Sequence, residues 1–391
     1  MKLVVIGFGQ CGGRIADEFA RLNRRARIRR RIEIVTGAFA VNTDAADLSG
    51  LSSIKSDYQH RVLIGGRKTG GHGVGKINEL GAEVAREDAD KIIDAIRAAP
   101  RFFESDAFLL IASAAGGTGS GALPVMTKHI KERYADKPVY TLIVLPFQHE
   151  EDTEERTIYN SAACLKSTGS VADAVILVDN QRYVRKDFSL RNNLDRINAL
   201  IAEPFYNLLC CGEEKKSKYI GVRLLDAGDI IQTLVGWTVI GYGRSELPLI
   251  RFPFLGSRDF RKKSVEIHRG LQAMDEAVSE LSLKCSPMDA GRALYLISAP
   301  AREMNMELVK DLGDYLRDIA SEAIIRNGDY PRERGVLDVT VMLSELSDVE
   351  KVRNYYTEST SFIPEVKKRQ RRVESKLSKI EEAAKDIPSL L

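Results

Sequence analysis

The sequence predicts an α/β protein with a parallel sheet, a long central helix and a second, smaller mixed α/β domain. Three observations carry that expectation. Apolar runs of strand length, such as Leu3–Ile6, Ala107–Ala112 and Val139–Leu145, end in glycine-rich or polar turns that open helical patterns; this alternation builds parallel sheets. Three of the turns, at 7–13, 65–75 and 114–121, are rich in glycine. A chain of 391 residues is also too long for one compact core, which favours two domains and a tail.

Composition narrows the class. Hydrophobic content of 44%, charged content of 29% and a net charge of +3 describe an ordinary globular chain with no global affinity for nucleic acid or membrane. The five cysteines (Cys11, Cys164, Cys210, Cys211, Cys285) are odd in number and lack CxxC spacing. That argues against a disulfide framework or structural zinc and favours a reducing cytoplasm. The five histidines are scattered, as expected of surface or satisfied side chains rather than metal ligands. Leu3–Ile6 is too short for a signal peptide, and no stretch reaches the ~18 apolar residues of a membrane span.

Taken in order, Leu3–Ile6 is a buried-strand candidate leading into Gly7-Phe8-Gly9-Gln10-Cys11-Gly12-Gly13, with a helix after it. Gly7, Gly9 and Gly12 satisfy GxGxxG, so the first domain reads as Rossmann-like. A dinucleotide site wants an acidic residue about twenty positions on, and the next good candidate, Asp44, lies further away. Between them Arg21–Arg31 holds seven arginines. This reads as a solvated helix end; a nucleic-acid patch would want interleaved aromatics. Ile32–Val35 and Gly37–Val41 read as strand, ending in Asn42-Thr43-Asp44 where an α/β sheet places ligands. Asp44 is a candidate for holding Mg²⁺ through water, or for capping the short helix at Ala45. The loop Gly65–Gly75 precedes a helical pattern over Ile77–Ile96.

The most informative stretch is Ala114–Gly121. Four glycines in the six positions 116–121 admit a tight turn, so successive backbone N–H groups can converge beside a helix N-terminus. That is a phosphate cradle, with Thr118 and Ser120 adding hydroxyls, and the helix after it is expected over Leu123–Tyr134. Val139–Leu145 ends in Pro146-Phe147 and the acidic loop Glu150–Glu155; Val175–Val178 ends in Asp179-Asn180. The helix Leu190–Cys211 carries Asn198, with Pro204 expected to kink it. An asparagine amide both donates and accepts, so Asn180 and Asn198 could read a purine edge or simply serve as caps.

Beyond Lys215–Lys218 the character changes. Leu224–Ile231 opens a helix with Asp226 and Asp229 on one face, as dipole-compensating caps or as something more. Trp237–Tyr242, Ala293–Ala299 and Val336–Leu343 read as strands, and Met306–Ala323 as a helix. After Pro364 a basic run, Lys367–Arg372, precedes apolar residues at helical spacing. The expected division is 1–189, 190–212 (central helix), 213–363 and a basic amphipathic tail at 364–391.

Together these motifs resemble the tubulin/FtsZ superfamily of filament-forming GTPases. Ala115–Gly121 resembles its glycine signature loop, Gly9-Gln10-Cys11-Gly12 tubulin's first phosphate loop, and Asn42-Thr43-Asp44-Ala45 the second loop of FtsZ. Leu225–Ile231 stands where the catalytic loop follows the central helix. The family usually has asparagine two positions before the first of these aspartates, where this chain has Leu224. That departure, with Gln10–Gly13 and Ile240-Gly241-Tyr242, most resembles the archaeal CetZ group, associated with cell shape. The resemblance implies a GTP-binding domain over 1–189, an activation domain over 213–363, GTP/GDP with Mg²⁺ as ligands, and head-to-tail filaments. Gly9, Gln10, Cys11, Gly12, Gly13, Gly116, Gly117, Thr118 and Gly119 would hold phosphates, with Gly70 and Gly71 near the γ-phosphate and Asp44 near the metal. Asn180 and Asn198 would bind guanine against Leu194, where an aromatic is usual. A carboxylate after Phe147 would bind ribose; spacing favours Glu155, with Glu151 and Asp152 open. Asp226 and Asp229 would act on the nucleotide of the next subunit. The tail is expected to offer a membrane or adaptor contact unless it docks on its own protein, and no nucleic-acid partner is expected. Two other classes compete: an NAD(P)-dependent oxidoreductase on GxGxxG, which the second glycine loop disfavours, and a nucleotide-binding scaffold without hydrolysis, which the aspartate pair disfavours.

Overall fold

The computed structural model describes residues 1–184, 190–247 and 260–361 (side chains at 190–193 and 260–266 excepted), so the expected tail lies outside the described residues. The first half runs β1 (Leu3–Phe8), α1 (Gly9–Arg30), β2 (Val35–Asn42), α2 (Ala45–Ser49), β3 (Arg61–Leu63), α3 (Gly66–Thr69), α4 (Asn78–Glu87), α5 (Ala89–Arg97) and β4 (Ala107–Ser113). It continues through α6 (Thr118–Arg133), β5 (Val139–Leu145), α7 (Gln148–Thr153), α8 (Glu155–Gly169) and β6 (Ala174–Asp179). Then come α9 (Leu190–Cys211), α10 (Ala227–Thr233), β7 (Gly236–Glu246), α11 (Phe260–Ser279), β8 (Ala290–Ala299), α12 (Met306–Ile319), β9 (Ile324–Pro331) and β10 (Val336–Leu346). A helix at 350–361 follows.

The strand order is β3-β2-β1-β4-β5-β6-β7-β10-β8-β9. From β3 to β6 every pairing is parallel. β7 then does two jobs: its first residues pair parallel with β6, and Val239–Glu246 pair antiparallel with β10. Along β1 successive side chains alternate between two cores. Leu3 and Val5 meet Phe19 of α1 and Phe205 and Leu209 of α9, whereas Val4, Ile6 and Phe8 join Val84, Ile92, Met126 and Leu165 on the other face. A parallel sheet covered on both sides explains why its strands read as unbroken apolar runs. Among the described residues no helix is long and apolar enough to cross a membrane.

Several expected boundaries move, each for a physical reason. Residues 32–34 stay outside the strand: the Asn23 side chain accepts from the N–H groups of Ile34 and Val35 at 3.0 and 3.1 Å, substituting for ladder partners. The strand instead runs through Gly37 to Asn42. The helix expected over 77–96 breaks at Asp88, whose carboxylate accepts from Gly65 N–H at 2.6 Å. α6 begins inside the glycine loop, at Thr118, because glycines carry no apolar periodicity to announce a helix. α9 continues through Pro204, and the helix expected to 323 ends at Ile319.

Candidate functional site

β1 lies between β2 and β4, so the chain leaves neighbouring strands β1 and β4 in opposite directions along the sheet. In open α/β sheets ligands bind outside the carboxyl ends of the strands at such a point. The two glycine loops leave those strand ends side by side. A Cβ on Gly9 would come within 3.1 Å of Gly119 N, and Gly9 takes a φ of +71°, which glycine adopts without strain. Thr43 and Thr118 hydroxyls meet at 2.6 Å and tie the β2 loop to the same corner. From behind, Asn160 Nδ2 donates to the carbonyls of Lys76, Ala115 and Gly116 at 2.9–3.1 Å. With those carbonyls turned toward α8, the loop presents its N–H groups forward, into a cavity of about 520 Å³.

That cavity has a phosphate end and a base end. At the first stand Gly9, Gln10, Cys11, Asp44, Gly73, Lys76 and Gly116–Gly119; at the second stand Asn180, Leu194, Asn198, Phe147 and His149. The Phe147 and His149 rings stack at 5.5 Å and 21°. Asn198 is buried. Both glycine loops therefore serve one pocket, of a size that suits a nucleotide. Desolvation, with Glu150 adding to it, pushes the Cys11 thiol up to about 12, so it stays protonated and is no nucleophile.

The remaining expected residues fall outside this lining. Gly12 and Gly13 are buried beneath the loop; a Cβ on Gly12 would lie 2.1 Å from the Ile111 carbonyl oxygen. Gly70 and Gly71 shape the loop that ends at Gly73, with Gly71 carbonyl accepting from Ala45 N–H at 3.0 Å. Of the acids at 150–155, Glu150 reaches the cavity. Glu155 opens α8, Asp152 lines a neighbouring hollow, and Glu151 pairs with Lys351 at 3.4 Å and Tyr355. Residues that sequence reasoning passed over are Arg14, Asp47, Lys76, His149 and, behind the loop, Asn160; Asn42 reads as part of the β2 loop motif but gains no role from sequence. A buried asparagine in an amphipathic helix was the one signal available for Asn160.

Each carboxylate lining the cavity holds a structural hydrogen bond. Asp44 caps α2 by accepting from Asp47 N–H at 3.0 Å. Asp47 accepts from Gln10 at 2.7 Å and Asn42 at 3.0 Å. Glu150 accepts from Phe147 N–H at 3.0 Å. Among the described residues no group of three His, Cys, Asp or Glu side chains could hold a metal alone. The donor set fits a divalent cation that keeps its water and takes its other oxygens from phosphates.

Asp226 and Asp229 lie elsewhere. Gly212, just past α9, packs against Leu225 and Asp226. Asn198, fourteen residues earlier (212 − 198), lines the cavity. At 1.5 Å rise per residue the aspartate end is about 21 Å from the base end. Asp226 N-caps α10 by accepting from Asp229 N–H at 2.9 Å, and Asp229 pairs with Arg326 at 3.4 Å. The preceding loop is pinned to β9 by Asp329, which accepts from Val222 N–H at 3.0 Å and Arg223 N–H at 2.5 Å. It nonetheless exposes Ile220, Val222 and Leu224, Val222 by 93%.

Comparison with known proteins agrees with this geometry. Residues 2–186 match the Tubulin/FtsZ family, GTPase domain, and residues 187–360 match Tubulin-like CetZ, C-terminal domain. The tubulin-like protein CetZ1 of Haloferax volcanii is 34% identical over 346 residues, spanning 85% of this chain and 84% of its own. CetZ of Pyrococcus abyssi is 28% identical, spanning 85% and 91%. Among solved structures, the GDP-bound monomer of Haloferax volcanii CetZ1 superposes with a TM-score of 0.79 at 31% identity, covering 92% of this chain and 99% of that one. The GTPγS-bound protofilament of CetZ2 from the same organism superposes with a TM-score of 0.80 at 30% identity, covering 94% and 100%. Matches over both halves and 34% identity over most of each chain place the protein in one family: it belongs to the tubulin/FtsZ family of GTPases, within its CetZ group.

Proposed function

We propose that this chain binds GTP in the switch-point cavity, assembles head to tail with copies of itself, and hydrolyses GTP where two subunits meet. Asn180 and Asn198 read the guanine edge, with Leu194 packed on the base. Glu150 is the acid best placed for the ribose, ahead of Glu151, Asp152 and Glu155. Gly9, Gln10, Cys11 and Gly116–Gly119 hold the phosphates through backbone N–H groups; Gly12 and Gly13 support them from beneath, and Gly70 and Gly71 shape the γ-phosphate loop. Mg²⁺, bound with the nucleotide and steadied by Asp44 through water, would neutralise phosphate charge.

The observation that carries this reading is the separation of acids. The cavity's three carboxylates are occupied in local structure, while Asp226 and Asp229 stand at the far end of α9 beside an ordered loop that exposes three apolar side chains. Stacking one subunit's aspartate end on the next one's cavity covers that loop and delivers two carboxylates to orient water at the γ-phosphoryl group. Such a heterologous contact does not close, so it builds a filament. We assign 1–189 to GTP binding, 190–212 to the central helix, 213–363 to activation of the neighbour's site and 364–391 to an adaptor or membrane contact. The protein works in the cytoplasm, in control of cell shape.

The test is GTPase rate per molecule against protein concentration, in wild type and Asp226→Asn. Asparagine keeps the N-cap acceptor, so the fold loses little, and the shared site loses a charge. The expected result is a wild-type rate that rises steeply as polymer forms, and a variant that binds GTP and assembles but turns over at least tenfold more slowly. A flat wild-type rate through assembly would refute the shared site.

A further inference from the structure

The arginine run at the end of α1 plays no part in the nucleotide site. Its inward arc is Leu22, Asn23 and Ala26, with Arg30 donating to Tyr330 Oη at 2.5 Å and reaching Cys210 Sγ at 3.6 Å. The outward arc is Arg24, Arg25, Arg27, Ile28, Arg29 and Arg31, all exposed. At 3.6 residues per turn the five on the helix spread over roughly 200° with Ile28 at the centre, Arg31 follows at the left-handed C-cap, and Ile28 is 74% exposed. Arg27 approaches Glu33 only to 3.9 Å, while Arg101 holds the same carboxylate. Arg24, Arg25, Arg29 and Arg31 make no side-chain ion pair or hydrogen bond among the described residues. Compensation of the helix dipole accounts for cations in the last turn, but it decays within that turn and leaves Arg24 and Arg25 unexplained.

We propose that this face of α1 docks on an anionic membrane surface, with the guanidinium groups paired to headgroup phosphates and Ile28 entering the boundary below them. Guanidinium forks suit phosphate oxygens, and an apolar side chain ringed by cations is the pattern of an interfacial helix. The arc is the convex outside of one helix, a shape that meets a plane. It carries no aromatic residue on which a base could stack.

The experiment is co-sedimentation of the full chain with vesicles of equal parts phosphatidylcholine and phosphatidylglycerol, against pure phosphatidylcholine vesicles. Three variants are compared: Arg24→Gln/Arg25→Gln/Arg29→Gln/Arg31→Gln, Ile28→Gln, and the tail with Lys367, Lys368, Arg369, Arg371 and Arg372 all changed to Gln. Each arginine near an anionic leaflet contributes about fivefold to the partition coefficient. The four-arginine variant is therefore expected to lose at least a hundredfold, with unchanged melting temperature and GTP affinity. Ile28→Gln is expected to lose severalfold at every salt concentration, and the tail variant to retain binding that depends on anionic lipid. Equal binding by wild type and the four-arginine variant overturns the proposal, as does binding abolished by the tail substitutions alone. Wild-type protein that ignores the vesicles yet binds duplex DNA through these arginines overturns it too.

Discussion

Two glycines of the phosphate corner do different work, and alanine substitution separates them. A Cβ on Gly12 would sit 2.1 Å from the carbonyl oxygen of Ile111, 2.9 Å from its carbon and 3.2 Å from Ala112 Cα. All three belong to the backbone of β4, which is paired with β1 on one side and β5 on the other and cannot yield. Ordinary contact begins at 3.4 Å, so α1 must lift by 1.3 Å (3.4 − 2.1) at its first turn. Overpacking against side chains costs about 1–3 kcal/mol; against fixed backbone the upper end applies. At roughly 2–4 °C per kcal/mol for large domains, Gly12→Ala should melt roughly 5–10 °C below wild type. Gly116 has no atom within 4 Å of its would-be Cβ and no positive φ. Gly116→Ala should therefore melt with wild type while its methyl occupies ligand space, lowering nucleotide affinity at least tenfold, about 1.4 kcal/mol. Scanning calorimetry must be run on nucleotide-free protein, since bound ligand raises the melting temperature by mass action; a fluorescent GTP analogue reads affinity. Gly12→Ala melting with wild type, or Gly116→Ala binding normally, would show that the assignment of the two glycines is wrong.

Two further changes probe the two ends of α9. Asn198→Asp should weaken GTP by about two orders of magnitude and favour xanthosine triphosphate, because a buried carboxylate accepts but cannot donate; competition titration with both nucleotides decides it, and unchanged GTP affinity would remove Asn198 from base reading. Gly212→Ala would set a Cβ 2.6 Å from the Leu225 carbonyl oxygen, displacing the aspartate loop, so assembled protein should hydrolyse GTP several-fold more slowly while monomer affinity is unchanged. Equal turnover in sedimented polymer would show that this contact does not position the loop.

Much of the fold was legible because the parallel strands are buried on both faces and read as apolar runs, each ending in glycine or a polar cluster. The antiparallel half was less so in its boundaries: β7 runs to Glu246 and β10 to Leu346, past the apolar stretch, because ladder pairing rather than burial sets their ends. Site residues read well where backbone chemistry demands glycine and poorly where side chains work through tertiary contact. Lys76 and Arg14 reach the cavity from just beyond glycine loops whose motifs end one residue before them. The acidic loop shows the limit most clearly. Six residues from 150 to 155 include five carboxylates, and only the turn that makes α7 decides that Glu150 faces the cavity while Glu151 turns to Lys351 on the helix at 350–361.

The two helices that begin at the nucleotide corner also end together. α1 closes at Arg30 and α9 at Cys211, and Arg30 reaches both Cys210 and Tyr330 of β9. Tyr330 in turn receives Arg332 at 2.9 Å and donates to Glu214 at 3.1 Å, so a buried phenol ties the end of α1 to β9 and to the chain just past α9. α9 spans the distance from the cavity to this junction as one helix, with Pro204 removing one hydrogen bond from its ladder. A displacement of α9 at Asn198, if base binding produced one, would be carried toward Cys211. Arg30, which reaches Cys210 of α9 as well as Tyr330, ties that end of the helix to β9. The loop after Gly212 leaves the helix beside that junction, exposes its apolar side chains and leads to Asp226 and Asp229, with Asp329 of β9 holding its backbone. In the proposed stacking, α9 is the strut that joins the base end of the cavity, at Asn198, to the loop that the next subunit covers.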